Sequence, residues 1–467
     1  MKLQYRAAAI LFLEGLASSG LQMITIRQTI PFVGSSVLST SIIISTFLAA
    51  LALGYYIGGR VRSEDYERAL YRNILIGCTI FGVGLSYPFV ETFFFLLSNL
   101  LGTGAILGNP LLHLCLFCLL VMAPLVFALA QTVPLLLNTT VGLSNSRAAG
   151  NATAISTVGN VIGCVLTSLV VMYFLGVGAS IILNCLYLII CAWLTTGQTS
   201  KSKATTFVAT SAIIAVSVGL NVLIPRAIMF SDGAYSNIEV FDVPGGKKMV
   251  MNGSNSSFIG TEERDGWPYI EVIKEVVFAS QEEGLDVLVL GAGGFTLTTG
   301  DIGSAKVTYV DVDPEAKRAA EEAFLGTPIT GQFIQDDARR YLLRSTERWD
   351  FIVVDVYSNS STIPAHISTL EFFNLVSSRL KPAGKAIMNI VAKPTLEDSY
   401  SASMDRTIRE AFPYCITHIS GFRNALENIL YFCRNKNASS EVAGLYKDDT
   451  TRVEVEGFMA LHRGNSK

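Results

Sequence analysis

Charge is what this chain has least of. Only 16% of its 467 residues are Asp, Glu, Lys or Arg, against about 25% in ordinary soluble domains. The deficit is local: charge is scarce before residue 225 and normal after it. A single water-soluble globule is thereby excluded. There is also no basic surplus. Lys and Arg number 35 against 38 Asp and Glu, a net charge of −3, so nothing marks a phosphate-backbone binder. The four histidines, His113, His366, His418 and His462, have no ligand spacing, and no metal site is expected. Six of the eight cysteines (Cys78, Cys115, Cys118, Cys164, Cys185 and Cys191) lie in apolar runs, where Cys behaves as a small hydrophobe. Cys115 and Cys118 form a C-x-x-C with no second pair, which leaves a zinc or redox role without its other ligands.

Apolar residues fill the gap. They make up 50% of the chain, and the mean hydropathy is +0.45. A bilayer span needs about 20 apolar residues. Such segments fall near 7–27, 36–58, 73–98, 109–136, 151–175, 178–197 and 205–224. This predicts an α-helical multi-pass membrane domain over 1–225, with six or seven helices, and a second domain over 226–467. The first segment reads as a retained span, because further spans follow it. The last is the weakest, diluted by Thr205, Thr206, Thr210, Ser211 and Ser217, and a helix lying in the interface is its alternative.

Lys2, Arg6, Arg60, Arg62, Arg68, Arg72, Arg147, Lys201 and Lys203 fall on one side if every span crosses, with Arg27 nearly alone on the other. The positive-inside rule then puts the N-terminus in the cytoplasm. Seven crossings would leave the second domain outside, and six would bring it in. A cytoplasmic domain is expected on chemical grounds, since nucleoside cosubstrates are scarce outside. Glu14 and Gln22 sit deep in the first span. An intramembrane acid is a functional candidate, and a hydrogen bond to another helix, for example at Asn160 or Asn184, is the structural alternative. Gly159-x-x-x-Gly163 suits close helix packing.

After residue 233 the pattern changes. Segments 236–241 and 247–251 flank Pro244-Gly245-Gly246, which predicts a β-hairpin. A helix over 268–280 follows. Strands and helices then alternate: strand 286–290, helix 295–302, strand 306–310, helix 314–324, strand 332–335, helix 337–345, strand 350–354, helix 369–380 and strand 384–391. This alternation predicts an α/β domain with a doubly wound, methyltransferase-like parallel sheet. The run Asp286-Val287-Leu288-Val289-Leu290 enters the turn Gly291-Ala292-Gly293-Gly294, and the next strand ends at Asp311. Glycines there let a backbone approach a nucleoside, and the acid can take both ribose hydroxyls. Asp336, Asp337 and Asp355 also follow strands. Each has a plainer role open to it: Asp337 and Asp313-Pro314 as helix starts, Asp355 as a turn cap.

These residues resemble the polyamine aminopropyltransferase (spermidine synthase) family, in particular a membrane-fused branch. The resemblance rests on Tyr235, Met251-Asn252-Gly253, Tyr269-Ile270-Glu271, the glycine turn, Val310-Asp311-Val312-Asp313, Asp336-Asp337-Ala338, Val354-Asp355, Ile363-Pro364-Ala365-His366 and Thr369-Leu370-Glu371-Phe372-Phe373. In the first half it rests on Gly54-Tyr55-Tyr56-Ile57-Gly58-Gly59-Arg60. It implies S-adenosylmethionine or its decarboxylated form as substrate, with no metal. Gly291, Gly293, Asp311 (ribose) and Asp337 (adenine amino group) would hold the nucleoside. Tyr235, Tyr269 and Glu271 would line the substrate site. Asp355 would be the catalytic carboxylate, with Tyr357 beside it.

The departures narrow the chemistry. The family's glycine loop carries an acid where this chain has Gly294, and the second acid of its D-S-S-D motif is replaced by Ser358. Ile270 stands for the His of its Y-H-E, and Ser256 for a Gln. A groove stripped of carboxylates holds a polyamine poorly, because a dehydrated ammonium needs a partner. The expectation is therefore a membrane-anchored aminopropyltransferase-like enzyme that releases 5′-methylthioadenosine, with either a small amine or the substrate's own amino or carboxyl group as nucleophile, the second case being an intramolecular cyclisation or lyase reaction in place of polyamine synthesis. A methyltransferase and a non-catalytic nucleoside sensor are the alternatives. The expected partners are a small molecule and the lipid bilayer, without nucleic acid, and the pattern is compatible with a homo-oligomer.

Overall fold

A computed structural model describes residues 3–101, 107–140, 146–196, 199–261, 265–278, 284–357, 363–419 and 426–434. Ser358 lies outside them. The chain divides into two compact units, Met1–Val33 with Val37–Ala234, and Gly34–Ser36 with Tyr235–Lys467.

The first unit is helical. Tyr5–Val33, Val37–Gly58, Pro110–Asn138, Arg147–Thr195 and Ser200–Ile228 are long and apolar enough to cross a membrane, and a bent pair adds a sixth candidate. That pair, Tyr66–Gly84 and Tyr87–Leu101, meets at 73° where a single span over 73–98 was expected. Pro88 follows the break, and the Leu85 carbonyl freed there accepts from Gln28 Nε2 at 3.1 Å. The 49-residue helix Arg147–Thr195 is also broken, at Gly176 (φ 85°, ψ 177°), a conformation open to glycine.

Contacts fix the helix directions. Gly15 meets Asn160 and Gly159, and Ser19 donates to Asn160 at 3.0 Å, so the first helix and 147–175 run parallel. Past Gly176 the chain returns: Asn184 packs on Gly20 and Cys191 on the Ile10 carbonyl. Tyr71 meets Thr206 at 2.8 Å and Asn221 donates to the Gly82 carbonyl at 2.7 Å, so Tyr66–Gly84 and Ser200–Ile228 run alongside in the same direction. One end of this unit therefore holds Tyr5, Arg60 and Thr196. The other holds Val33, Leu85, Gly176 and a two-residue strand, β1 (Ser231–Asp232). At that second end Arg27 Nε donates to the Gly233 carbonyl at 2.8 Å. The segment 205–224 thus lies within a full-length helix.

Glu14 is buried at 3% exposure and bonds to Ser156, while Asn160 and Asn184, its suggested partners, are taken by Ser19 and by Thr167 with the Ser180 carbonyl. Gly159 and Gly163 press directly on the backbone of Phe12 and Leu16, the close packing expected of that motif. The outward faces carry Leu48, Leu119, Leu120, Phe174, Phe207 and Val208, all more than half exposed.

The second unit begins with antiparallel strands β2 (Asn237–Val243), β3 (Gly246–Met251) and β4 (Ser254–Gly260). The hairpin is the expected one. The third strand was not foreseen, although Asn252 (φ 48°) and Gly253 (φ 72°) form an ordinary Asn-Gly turn between β3 and β4. The main sheet holds β5 (Asp286–Leu290), β6 (Lys306–Asp311), β7 (Gln332–Gln335), β8 (Trp349–Val354), β9 (Leu380–Ala392), β10 (Tyr414–Ile419) and β11 (Glu427–Arg434). Its order is β10-β11-β9-β8-β5-β6-β7. The strands from β9 to β7 are parallel, as expected. β10 and β11 are antiparallel, so the sheet is mixed, which corrects the all-parallel expectation. Helices Pro268–Phe278, Pro314–Ala319, Ala338–Arg344 and Leu370–Ser378 stand close to their expected places. The helix expected over 295–302 is only a turn, Thr296–Thr298. Phe295 is left-handed there (φ 61°), three threonines follow in four residues, and Gly300 (φ 95°) ends the segment.

Candidate active site

The chain reverses its direction of travel across the sheet at β5, which lies between β6 and β8. In doubly wound sheets this is where ligands bind, beyond the carboxyl ends of the strands. Gly291 leaves β5 with φ 90°, and a Cβ there would strike the carbonyl of Asp355. Asp355 N in turn donates to the Leu290 carbonyl at 2.9 Å. The glycine turn and Asp355 are thus held backbone to backbone.

Two donors grip the Asp355 carboxylate. Tyr269 Oη donates to Oδ2 at 3.0 Å, and Asn389 Nδ2 donates to Oδ1 at 2.9 Å. Burial pushes this carboxyl above the usual range, and the two hydrogen bonds pull it back down. Asn389 was missed from the sequence. Its signal is a lone amide in the apolar run Ala386-Ile387-Met388-Asn389-Ile390-Val391, where it is only 4% exposed. Tyr357 supports it. The Tyr357 hydroxyl donates to the Asn389 carbonyl at 3.0 Å and accepts from Val391 N at 2.7 Å, so it braces β9. Expected as a catalytic residue, Tyr357 has both hydrogen-bonding functions of its hydroxyl committed to backbone.

Asp311 closes the other side of the turn. Its Oδ2 accepts from Ala292 N at 2.8 Å and its Oδ1 from Asp313 N at 2.9 Å. Burial raises its pKa, against these backbone donors. Asp313, at 3% exposure, caps the helix Pro314–Ala319 and accepts from Ser236 Oγ. Burial pushes it up to about 6. Asp337 also serves as a helix cap, accepting from Arg340 N at 2.9 Å, and its second oxygen meets His366 Nε2 at 2.8 Å. The His366 contact, followed by the cap, holds its pKa low.

Gly293 sits beside the hydroxyls of Ser256 and Ser257. Gly294 is enclosed: its N donates to Ser257 Oγ at 2.8 Å, and a Cβ would meet the Phe324 ring at 2.5 Å. No side chain fits at that position without displacing the buried Phe324. Glu271 Oε1 accepts from Gly266 N at 2.5 Å and from Lys274 Nζ at 2.8 Å, so its charge is already matched within its own helix. Tyr235 is 39% exposed, with its carbonyl taken by Asn252 Nδ2 at 3.2 Å. The structure therefore brings together Gly291, Asp355, Tyr269 and Tyr357 as one cluster, and the glycine turn with Asp311 as a second. Glu271 and Asp337 are each bonded locally. No group of three metal-ligating side chains occurs among the described residues.

Comparison with known proteins places this geometry. Residues 267–443 match the spermine/spermidine synthase domain model. Polyamine aminopropyltransferase 2 of Pseudomonas aeruginosa is 30% identical over 170 residues, covering 33% of this chain and 47% of that protein. A probable polyamine aminopropyl transferase of Bifidobacterium longum is 30% identical over 109 residues, 23% of each chain. The chain thus spans about half or less of the curated relatives it matches. A probable spermidine synthase from Corynebacterium glutamicum is a structural neighbour at 23% identity and a TM-score of 0.37, over 45% of this chain and 81% of that one. Residues 267–443 of this chain thus form a spermine/spermidine synthase domain.

Proposed function

We propose that the chain is a membrane-anchored enzyme that cleaves a sulfonium nucleoside, S-adenosylmethionine or its decarboxylated form, and releases 5′-methylthioadenosine. The observation that carries this is the buried Asp355 carboxylate, held by Tyr269 and Asn389 against the glycine turn. Asp311, held by the Ala292 amide of that turn and by the Asp313 amide, takes the ribose hydroxyls, and Asp337 accepts from the adenine amino group. Asp355 takes the proton of the attacking group. The nucleophile's electron pair forms a bond to the carbon beside sulfur. The C–S bond breaks, and its pair stays on sulfur as a neutral thioether.

Two observations favour the undecarboxylated donor and a nucleophile that is not a polyamine. Gly294 has no room for the acid that would anchor the arm's ammonium. Glu271 is already neutralised by Lys274. An amino or carboxyl group of the substrate itself then suffices, in a cyclisation or lyase reaction. Membrane anchoring is supported by the long apolar helices and by the large apolar side chains on their outer faces. The test is incubation of the full-length protein in detergent or nanodiscs with S-adenosylmethionine alone. 5′-Methylthioadenosine as the nucleoside product is expected. S-adenosylhomocysteine would establish a methyltransferase. A product formed only from the decarboxylated donor with putrescine would establish polyamine synthesis.

A further inference from the structure

We infer that the domain carrying Asp355 lies on the non-cytoplasmic side of the membrane, and that Cys415 and Cys433 form a disulfide there. Three independent observations converge.

The first is the path of the chain through the helical unit. Tyr5 and the start of the first helix lie at one end, and the segment 229–234, from which the second domain follows, lies at the other. Arg27 near the far end of the first helix holds the Gly233 carbonyl, and Gly176 abuts the Asp232 carbonyl. The last helix runs the full distance, from Thr206 beside Tyr71 to Asn221 beside Gly82. If the first helix crosses the bilayer, residue 234 is on the side opposite residue 5, however the bent pair is counted.

The second is charge. The end with Tyr5 and Arg60 collects Arg6, Arg60, Arg62, Arg68, Arg72, Arg147, Lys201 and Lys203. The other end has Arg27 and Arg226, and Arg27 is buried. Lys and Arg near span ends are retained on the cytoplasmic side. The basic end is therefore inside and residue 234 outside, which replaces the cytoplasmic placement expected on chemical grounds.

The third is thiol chemistry. The second domain contains only two of the chain's eight cysteines, and they are joined. Cys415 on the edge strand β10 stands directly opposite Cys433 on β11, with a Cα–Cα distance of 4.1 Å. The other six are thiols within the first unit's helices. Disulfides of this kind persist in oxidising compartments and are rare in the cytosol. In forming it, two thiols lose two protons and two electrons, which reduce a partner disulfide of the exported compartment, protein or small molecule, to its dithiol.

The test uses the full-length chain and reads no enzymatic activity, so it stands apart from the proposed reaction. Alkaline phosphatase, active only after export, and a fluorescent protein that folds only in the cytosol are fused in turn after Lys467 and after Thr196. Phosphatase activity after Lys467 and its loss after Thr196 are expected, with fluorescence reversed. Whole cells are also treated with a permeant maleimide, then digested with trypsin without reductant. Peptides 410–423 and 424–434, which carry Cys415 and Cys433, are expected as one linked species. Fluorescence after Lys467 would overturn the sidedness. Maleimide on both cysteines would overturn the disulfide. If a fusion fails to express, protease digestion of sealed inverted vesicles decides the side: the domain is protected if the inference holds and degraded if it fails.

Discussion

Tyr269→Phe is the most informative single change. It removes one oxygen and leaves the ring in place, so the Asp355 carboxylate loses the 3.0 Å donor at Oδ2 and keeps Asn389 at Oδ1. A hydrogen bond to a charged group contributes about 1.5–3 kcal/mol. At about 1.36 kcal/mol per pKa unit, the Asp355 carboxyl should rise by about 1–2 units above its already raised value. In its proposed role as base, Asp355 acts only when ionised. The acid limb of kcat/KM, which reports the free enzyme, should therefore move to higher pH by about 1–2 units, with activity recovering on the alkaline side. The assay is chromatographic release of 5′-methylthioadenosine across pH, with circular dichroism as the folding control. A fall in kcat/KM by the same factor at every pH, with the limb unmoved, would refute the idea that Tyr269 acts through Asp355.

Asp355→Asn keeps the shape and removes the basicity, so turnover should fall about a hundredfold or more while calorimetry shows unchanged binding of 5′-methylthioadenosine; full turnover would remove Asp355 from the chemistry. Gly294→Asp introduces the acid that the family resemblance leads one to expect at this position, yet its Cβ would sit 2.5 Å from Phe324. Overpacking of this kind costs about 1–3 kcal/mol, so a lowered melting temperature without new putrescine dependence is expected, and an unchanged melting temperature would contradict the enclosure. Asp313 has a folded pKa raised from 3.8 to about 6. The folded state holds this proton more tightly than the unfolded chain, so its contribution is complete below pH 3.8 and lost as pH rises through 6. From those two values the loss is about 3 kcal/mol. Asp313→Asn, which can still cap its helix, should flatten that part of the stability curve relative to the parent in denaturant melts; parallel curves would exclude the linkage.

Much of this was legible in the sequence where local rules act alone. Apolar runs ending at Gly291, Asp311 and Asp355 marked β5, β6 and β8, because buried parallel strands must be apolar on both faces. Asp313-Pro314 and Asp337 cap helices, as their types and positions indicated. What stayed hidden depends on distant partners. Asn389 counts only because β9 brings it to Asp355, 34 residues earlier in the chain. Cys415 and Cys433 pair only through the antiparallel register of the edge strand β10 and its neighbour β11. The turn after Gly294 failed as a helix because Phe295 is held left-handed in the core, against Tyr309 and Phe333. The break at Leu85 was readable in principle from Pro88, but its stability rests on Gln28.

The seam between the first helix and its parallel partner has a consequence for biogenesis. Ser19 and Asn160, which bond across it, are 141 residues apart, and Glu14 waits equally long for Ser156. At about 5–20 residues per second, the first helix leaves the ribosome roughly 7–30 s before its partner exists. Throughout that interval it carries a carboxyl with no side chain from its later partner to meet it. The nascent helix must either linger at the insertion machinery or enter lipid with Glu14 protonated. The residue that ties the finished bundle together is thus the one that makes its first step slow.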